Sequence, residues 1–240
     1  MRTIGIIGGM GPLAAARLFE RIVMLTKANC DNEHIPMIID NNTNIPDRTK
    51  AILDNGDNPT FELVRSALRL EMMGADAIIM ACNTAHYYYD EIVKFVKVPV
   101  INMMEETAKY IKSSYPAAKR VGLLATEGTC SSGIYARIFV KSGMEIVIPE
   151  QEEQKHITAL IYDIKKGIED IDPANAIKVI SALKSRGAEV IVLGCTELPI
   201  AVSRFNICSS YVDSSEVLAM SAIAYAGKTI LYEKKDSSMK

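Results

Sequence analysis

Short apolar runs alternate along the chain with longer segments in which apolar residues recur at helical spacing. The runs Thr3–Gly8, Met37–Asp40, the stretch ending at Cys82, Val98–Ile101, Arg120–Ala125, Glu145–Pro149, the stretch ending at Cys195 and Tyr211–Asp213 read as strands. Between them the periodicity predicts helices over Leu13–Lys27 and Asn58–Met73, from Cys82 to Val96, after the Thr126–Thr129 turn, and over Glu152–Lys166 and Pro173–Arg186. A short helix is expected near Glu197 and a closing one over Ser214–Tyr232. Pro12 suits a first helical position, and Gly74 and Gly167 are natural stops. Strands that alternate with helices of this length imply βαβ units and a mostly parallel sheet, an α/β fold.

The pattern occurs twice. Gly5 lies against Gly122 and Cys82 against Cys195, offsets of 117 and 113 residues, which points to an internal duplication. Ser113-Ser-Tyr-Pro116 is the natural linker. Two similar doubly wound domains are therefore expected, one of residues 1–100 with 214–240 and the other of residues 101–213. Ligands of such sheets bind beyond the carboxyl ends of the strands. Both cysteines fall there, so two facing domains would direct the sulfurs into the cleft between them.

Composition narrows the function. In 240 residues, 49% hydrophobic and 23% charged with a net charge of −2, there is neither the basic field that gathers nucleic acid or an anionic membrane nor an apolar run of membrane-spanning length. No leader is evident at the N-terminus, and five widely spaced cysteines without a CxxC pair argue against zinc or a disulfide framework. A cytoplasmic protein with free thiols is expected, with no metal.

The chemistry concentrates at the two strand–Cys–helix junctions. A lone cysteine after an apolar strand is ordinarily a small core residue, and Cys30, Cys130 and Cys208 fit that reading. At a helix N-terminus the unsatisfied N–H groups and the dipole favour the thiolate. Two such sites at matching positions suggest paired acid–base groups that remove a proton from one face of a carbon and return one to the other. Gly9-x-Gly11-x-x-Ala14, with Asp40 at the end of the next strand, has the form of a dinucleotide fingerprint and supports a competing oxidoreductase reading, although glycine suits any close backbone approach. Arg48, in the polar Asn41–Arg48 loop, is either a carboxylate clamp or a solvated residue. Lys165 and Lys166 close a helix, where cations are favourable in any case, and His86 stands one turn beyond Cys82.

Gly8-Gly-Met-Gly-Pro-Leu, Ile45-Pro-Asp-Arg-Thr, Cys82-Asn-Thr-Ala-His-Tyr, Met104-Glu-Glu-Thr-Ala-Lys, Gly122-Leu-Leu-Ala-Thr-Glu-Gly-Thr and Gly194-Cys-Thr-Glu-Leu-Pro are spread over nearly the whole chain. In that order they resemble the aspartate/glutamate racemase family, in particular its aspartate racemase branch, which is independent of pyridoxal phosphate. The resemblance implies two Rossmann-like domains with the active site between them, commonly in a homodimer, and no cofactor. It implies Cys82 and Cys195 as the catalytic pair. Met10, Asn83, Thr84, Thr126, Thr129, Thr196 and Glu197 would surround a small acidic amino acid, with Arg48 and a lysine binding its carboxylates. Counting from Tyr162 selects Lys166, and counting from Gly167 selects Lys165. The Gly8-Gly9 start and Glu197 lean toward aspartate over glutamate, and a broad-specificity racemase or a dicarboxylate-binding protein without chemistry are the alternatives.

Overall fold

Alternation within each strand builds the architecture. In the computed structural model, which describes residues 1–231, β1 (Ile4–Ile7), β2 (Met37–Asp40) and β3 (Ala77–Met80) form a parallel sheet in the order β2-β1-β3. A second parallel sheet has the order β5-β4-β6-β7, from β4 (Arg120–Ala125), β5 (Glu145–Val147), β6 (Val190–Gly194) and β7 (Val212–Asp213). The expected strand at Val98–Ile101 contracts to one parallel bridge between Val100 and Ile78. That bridge occupies the place β7 takes in the second sheet, so the two halves repeat one topology.

Successive strand residues face opposite sides, and in this chain both sides are apolar. Ile4, Ile6, Ala77, Ile79, Val121, Leu123, Val190 and Val192 all enter one buried cluster shared by the two sheets. Their alternates Ile7, Ile78 and Met80 pack into an outer core beneath the first sheet, and Leu124, Ile191 and Leu193 into one beneath the second. Fully burying one such side chain contributes about 1.5–3 kcal/mol, which makes the shared cluster the largest single term fixing the halves together.

Helices complete the layers. The central core takes in α1 (Pro12–Leu25) after β1, α5 (Met103–Ser114) after the Val100 bridge, α7 (Ile134–Phe139) in the second half, and α11 (Ser214–Tyr225) after β7. α5 packs against α7 and α11, and α11 against α1, so each half's last helix reaches the other half. Arg48–Leu53 (α2) and Thr60–Met72 (α3) flank the first sheet. After β3 come a 3-10 turn, Thr84–Tyr88, and the single helical turn α4 (Tyr89–Ile92). Glu127–Ser131 (α6) follows β4, and α8 (Gln151–Lys165), α9 (Ala174–Ser185) and α10 (Leu198–Phe205) cover the second sheet.

Two helices are shorter than their periodicity suggests. The closing helix stops at Tyr225 because Gly227 takes the left-handed conformation, φ +78°; Tyr232 and the rest of residues 232–240 lie outside the described residues. The segment after Cys82 forms a 3-10 turn because His86 and Tyr89 are committed to backbone carbonyls, those of Cys82 and Val100. No helix of the described residues is long and apolar enough to cross a membrane.

The Gly-rich turn after β1 is fixed by contact within the chain. Gly9 has φ +87°, and a Cβ there would lie 2.2 Å from the Asn42 carbonyl oxygen. Asn42 is held in turn by Glu62 and Ser66, so the loop is anchored and cannot yield. Gly9→Ala should therefore destabilise the fold by about 2 kcal/mol or more, measured as a lowered urea midpoint. An unchanged midpoint would contradict this account of the turn.

Candidate active site

The carboxyl ends of β1, β3, β4 and β6 converge, and each sequence-predicted site residue sits on one of them or on a helix facing them. Beyond β1, Met10 is buried and its carbonyl accepts from the Arg48 guanidinium at 3.3 Å. Arg48 opens α2, whose N-cap Asp47 accepts from the Lys50 amide at 2.9 Å. A second Arg48 nitrogen donates to the Pro46 carbonyl at 2.9 Å, which leaves Nε buried without a protein partner. The loop is thus an ordered arm across the first sheet, with Ile45 in its core.

Cys82 ends β3 half-buried, and Cys195 ends β6 buried; both are free thiols. Their environments differ. The Cys195 thiol donates to Glu197 Oε2 at 2.9 Å, and the Thr196 hydroxyl donates to the same oxygen at 3.1 Å. Burial, then the Glu197 carboxylate, raise the Cys195 pKa well above the usual thiol value, outweighing the opposing Lys165 charge. The expectation that strand–helix geometry alone favours both thiolates therefore fails at Cys195, which rests as a thiol. At Cys82 the following 3-10 turn supplies no long helix dipole.

His86 fixes Cys82 from behind. Its Nδ1–H donates to the Cys82 carbonyl at 3.0 Å, and its Nε2 accepts from the Met103 amide at 3.2 Å. A carbonyl only accepts and an amide only donates, so the ring is the neutral Nδ1–H tautomer. It ties the Cys82 turn to the start of α5.

Of the two lysines, Lys165 lines the cavity of the site and Lys166 does not. Desolvation opposes the Lys165 charge, but Cys195, Glu197, Cys82 and Tyr162 together hold its pKa above the ordinary lysine value. Lys166 is the C-cap of α8 and, like Lys165, is exposed.

Between the halves, Thr84 Oγ1 lies 3.0 Å from Thr126 Oγ1 and 2.9 Å from Thr129 Oγ1, and those two lie 3.0 Å apart. All three are buried, so the triangle joins the chain beyond β3 to the turn beyond β4. Asn83 Oδ1 accepts from the Tyr135 hydroxyl at 2.6 Å, and Asn83 Nδ2 is buried with no protein partner. Above these residues a cavity of about 600 Å³ is lined by Met10, Arg48, Lys165, Thr196 and Glu197, together with Arg17, Glu169 and Arg204. Neither Cys82 nor Cys195 lines it, and Asn83, Thr84, Thr126, Thr129 and Lys166 do not either. Asn83 and Thr84 lie in the closed layer that joins the halves. The last three lining residues, and Tyr135, were not foreseen. For Arg17 the available signal was its position one turn after Leu13 and Ala14 on a helix opening from the Gly-rich turn.

Among the described residues no group of three or more His, Cys, Asp or Glu side chains could hold a metal ion. Asp40, the ribose-binding candidate of the nucleotide reading, is 3.6 Å from Arg69. The Gly9 requirement is met by Asn42, so the glycines of this turn do not call for a nucleotide.

The Asp/Glu/hydantoin racemase family model matches residues 7–222. The chain belongs to that family. It is 31% identical over 225 residues to the broad-specificity amino-acid racemase RacX of Bacillus subtilis, covering 92% of this chain and 96% of that one. Picrophilus torridus aspartate racemase superposes with a TM-score of 0.83 at 34% identity, over 96% of both chains. The fold also extends to glutamate racemase from Francisella tularensis, crystallised with D-glutamate, at a TM-score of 0.64, 21% identity and coverage of 93% of this chain and 80% of that one. This racemase-family member therefore has the expected α/β fold of two parallel sheets.

Burial lowers the His86 pKa from 6.5 to about 4, against its backbone hydrogen bonds to Cys82 and Asn83. The folded chain keeps His86 neutral while the unfolded chain takes up its proton below pH 6.5. The stability this residue lends is complete above pH 6.5 and is lost as pH falls toward 4, by up to about 3 kcal/mol. In urea titrations at pH 7.5 and 4.5, the wild type should lose more stability than His86→Gln. Equal losses would contradict the assignment.

Proposed function

We propose that the protein is an aspartate racemase that inverts Cα with Cys82 and Cys195 as paired thiolate and thiol, without pyridoxal phosphate. The observation that carries this reading is that Cys82 and Cys195 follow the carboxyl ends of the equivalent strands β3 and β6 in two repeated halves, beside a cavity lined by Arg48, Lys165, Thr196 and Glu197.

The chemistry must overcome a weakly acidic α-hydrogen beside an ionised carboxylate. Arg48 and Lys165 bind the two carboxylates of the substrate and offset the charge that builds on the α-carboxylate as the proton leaves. A guanidinium suits one carboxylate in bidentate geometry, and an ammonium acts on the other as a point charge. Cys195 rests as a thiol, so Cys82 acts as the base when the first α-proton faces it. The C–H electron pair passes to Cα and its carboxylate, and the proton passes to the Cys82 sulfur. The Cys195 S–H proton then goes to the opposite face of Cα, leaving a thiolate there. The enantiomer formed is the substrate of the reverse reaction, with the roles of the sulfurs exchanged. Asn83 Nδ2 and Arg48 Nε, two buried donors without protein partners, are available to substrate oxygens.

The similarity to a broad-specificity racemase over 92% of the chain supports a second reading, in which neutral amino acids are also accepted. One methylene is discriminated by only about 1–3 kcal/mol, so glutamate belongs in the same assay. Purified protein, without added cofactor, should convert L-aspartate to the racemate by circular dichroism. Cys82→Ala and Cys195→Ala should each lower that rate at least about 10²-fold. Retained activity in both variants would make the sulfurs structural, and no turnover of any amino acid would leave a binding protein.

A further inference from the structure

Arg21, Arg65, Arg69, Arg120 and Arg186 are ion-paired, Arg21 on the wall of a neighbouring cavity. Arg2 and Arg137, which line neither cavity, have no carboxylate partner among the described residues. None of the three arginines that line the 600 Å³ cavity has a carboxylate partner among the described residues. Arg48 donates only to backbone carbonyls. Arg204 donates to the Ile168 carbonyl at 3.2 Å and lies over the Phe205 ring. Arg17 makes no hydrogen bond or ion pair within the described residues. With Lys165, the cavity has four cations against Glu169 and Glu197, in a chain whose net charge is −2.

Arg17, Arg204 and Lys165 are exposed, and Arg48 is half-buried. Arg17 and Arg204 also line the neighbouring cavity of about 580 Å³, with which the first shares Ala14, Thr196 and Ile200. They therefore stand at the rim where the two cavities meet, whereas Arg48 and Lys165 line only the first. Unpaired guanidiniums at the mouth of a low-dielectric cleft focus its potential and raise the local concentration of anions, an effect that salt screens.

We infer that Arg17 and Arg204 are specificity-determining residues, a cationic rim that favours amino acids bearing a second carboxylate over neutral ones. The inference rests on the racemase reading above and deepens it. A neutral amino acid is a zwitterion with no net charge to respond to the rim, while aspartate carries a net negative charge. The rim acts on capture, so its removal should raise KM and leave the proton transfers, and hence kcat, nearly untouched.

The test compares racemisation of aspartate and alanine by the wild type, Arg17→Gln, Arg204→Gln, the double variant, and the charge-conserving Arg17→Lys and Arg204→Lys. The double glutamine variant should lose about tenfold in kcat/KM for aspartate at about 20 mM salt, with kcat within about twofold of the wild type. The loss should shrink at about 0.5 M salt, where the Debye length is only a few ångströms. The lysine variants should retain most of the wild-type value, and any alanine activity should change by less than about twofold. A readout without turnover separates this inference from the racemase reading. Succinate should bind the wild type by isothermal titration calorimetry, and more weakly the double glutamine variant. Equal succinate affinity in both, equal losses for aspartate and alanine, or a fall in kcat with unchanged KM would overturn the rim. A wild type that binds succinate, with binding weakened in the double variant, but that racemises no amino acid would support the rim and overturn the racemase reading instead.

Discussion

The site depends on the apolar layer that the two sheets share. Ile4, Ile6, Ala77 and Ile79 from one sheet and Val121, Leu123, Val190 and Val192 from the other belong to a single buried cluster. Interiors are close-packed and transmit displacement, so a strand end in one half cannot move far without the other. The helices reinforce the arrangement, because α5 and α11 pack against each other while each also reaches the opposite half. The consequence at the top of the sheets is that the turns beyond β3 and β4 meet closely enough for three threonine hydroxyls to bond across the gap. A pair of reacting groups needs that rigidity, since catalytic contributions from proximity are lost with displacements near 1 Å.

On this frame the two repeats are chemically unequal. Cys195 is buried beside a carboxylate and rests protonated, whereas Cys82 is half-exposed with its carbonyl held by a neutral histidine. A racemase of the proposed kind needs one thiol and one thiolate at the start of each turnover, and identical surroundings would not specify which is which. Lys165 is the common element, a cation whose charge is stabilised by the groups around it despite its desolvation. On the proposed mechanism, the duplication supplies the two sulfurs and the differences between the copies give them different roles.

Much of this was legible in the sequence, for reasons that can be named. Alternation and helical spacing are properties of the chain alone, so the order of strands and helices followed from them. The repeat was visible because the strand–Cys–turn segments match at Cys82 and Cys195. Other features depend on tertiary contacts that spacing does not encode. The Cys82 helix was lost to side-chain bonds from His86 and Tyr89, and the Val98–Ile101 strand to a single bridge at Val100. Lys165 and Lys166 are adjacent in sequence, and only the end of α8 at Lys165 separates them. Burial and Glu197 reversed the expected ionisation of Cys195. The cleft arginines went unnoticed because an unpaired arginine on an exposed helix face resembles any other until the cavity beside it is seen.

The central claim is that two different sulfurs serve the two faces of one carbon. It is tested most directly by running the reaction from L-aspartate in heavy water and reading Cα by mass spectrometry at low conversion. A two-base exchange predicts deuterium in the D-aspartate formed while the remaining L-aspartate stays protiated. Deuterium appearing at equal rates in both enantiomers would mean that one group serves both faces, and would contradict the account.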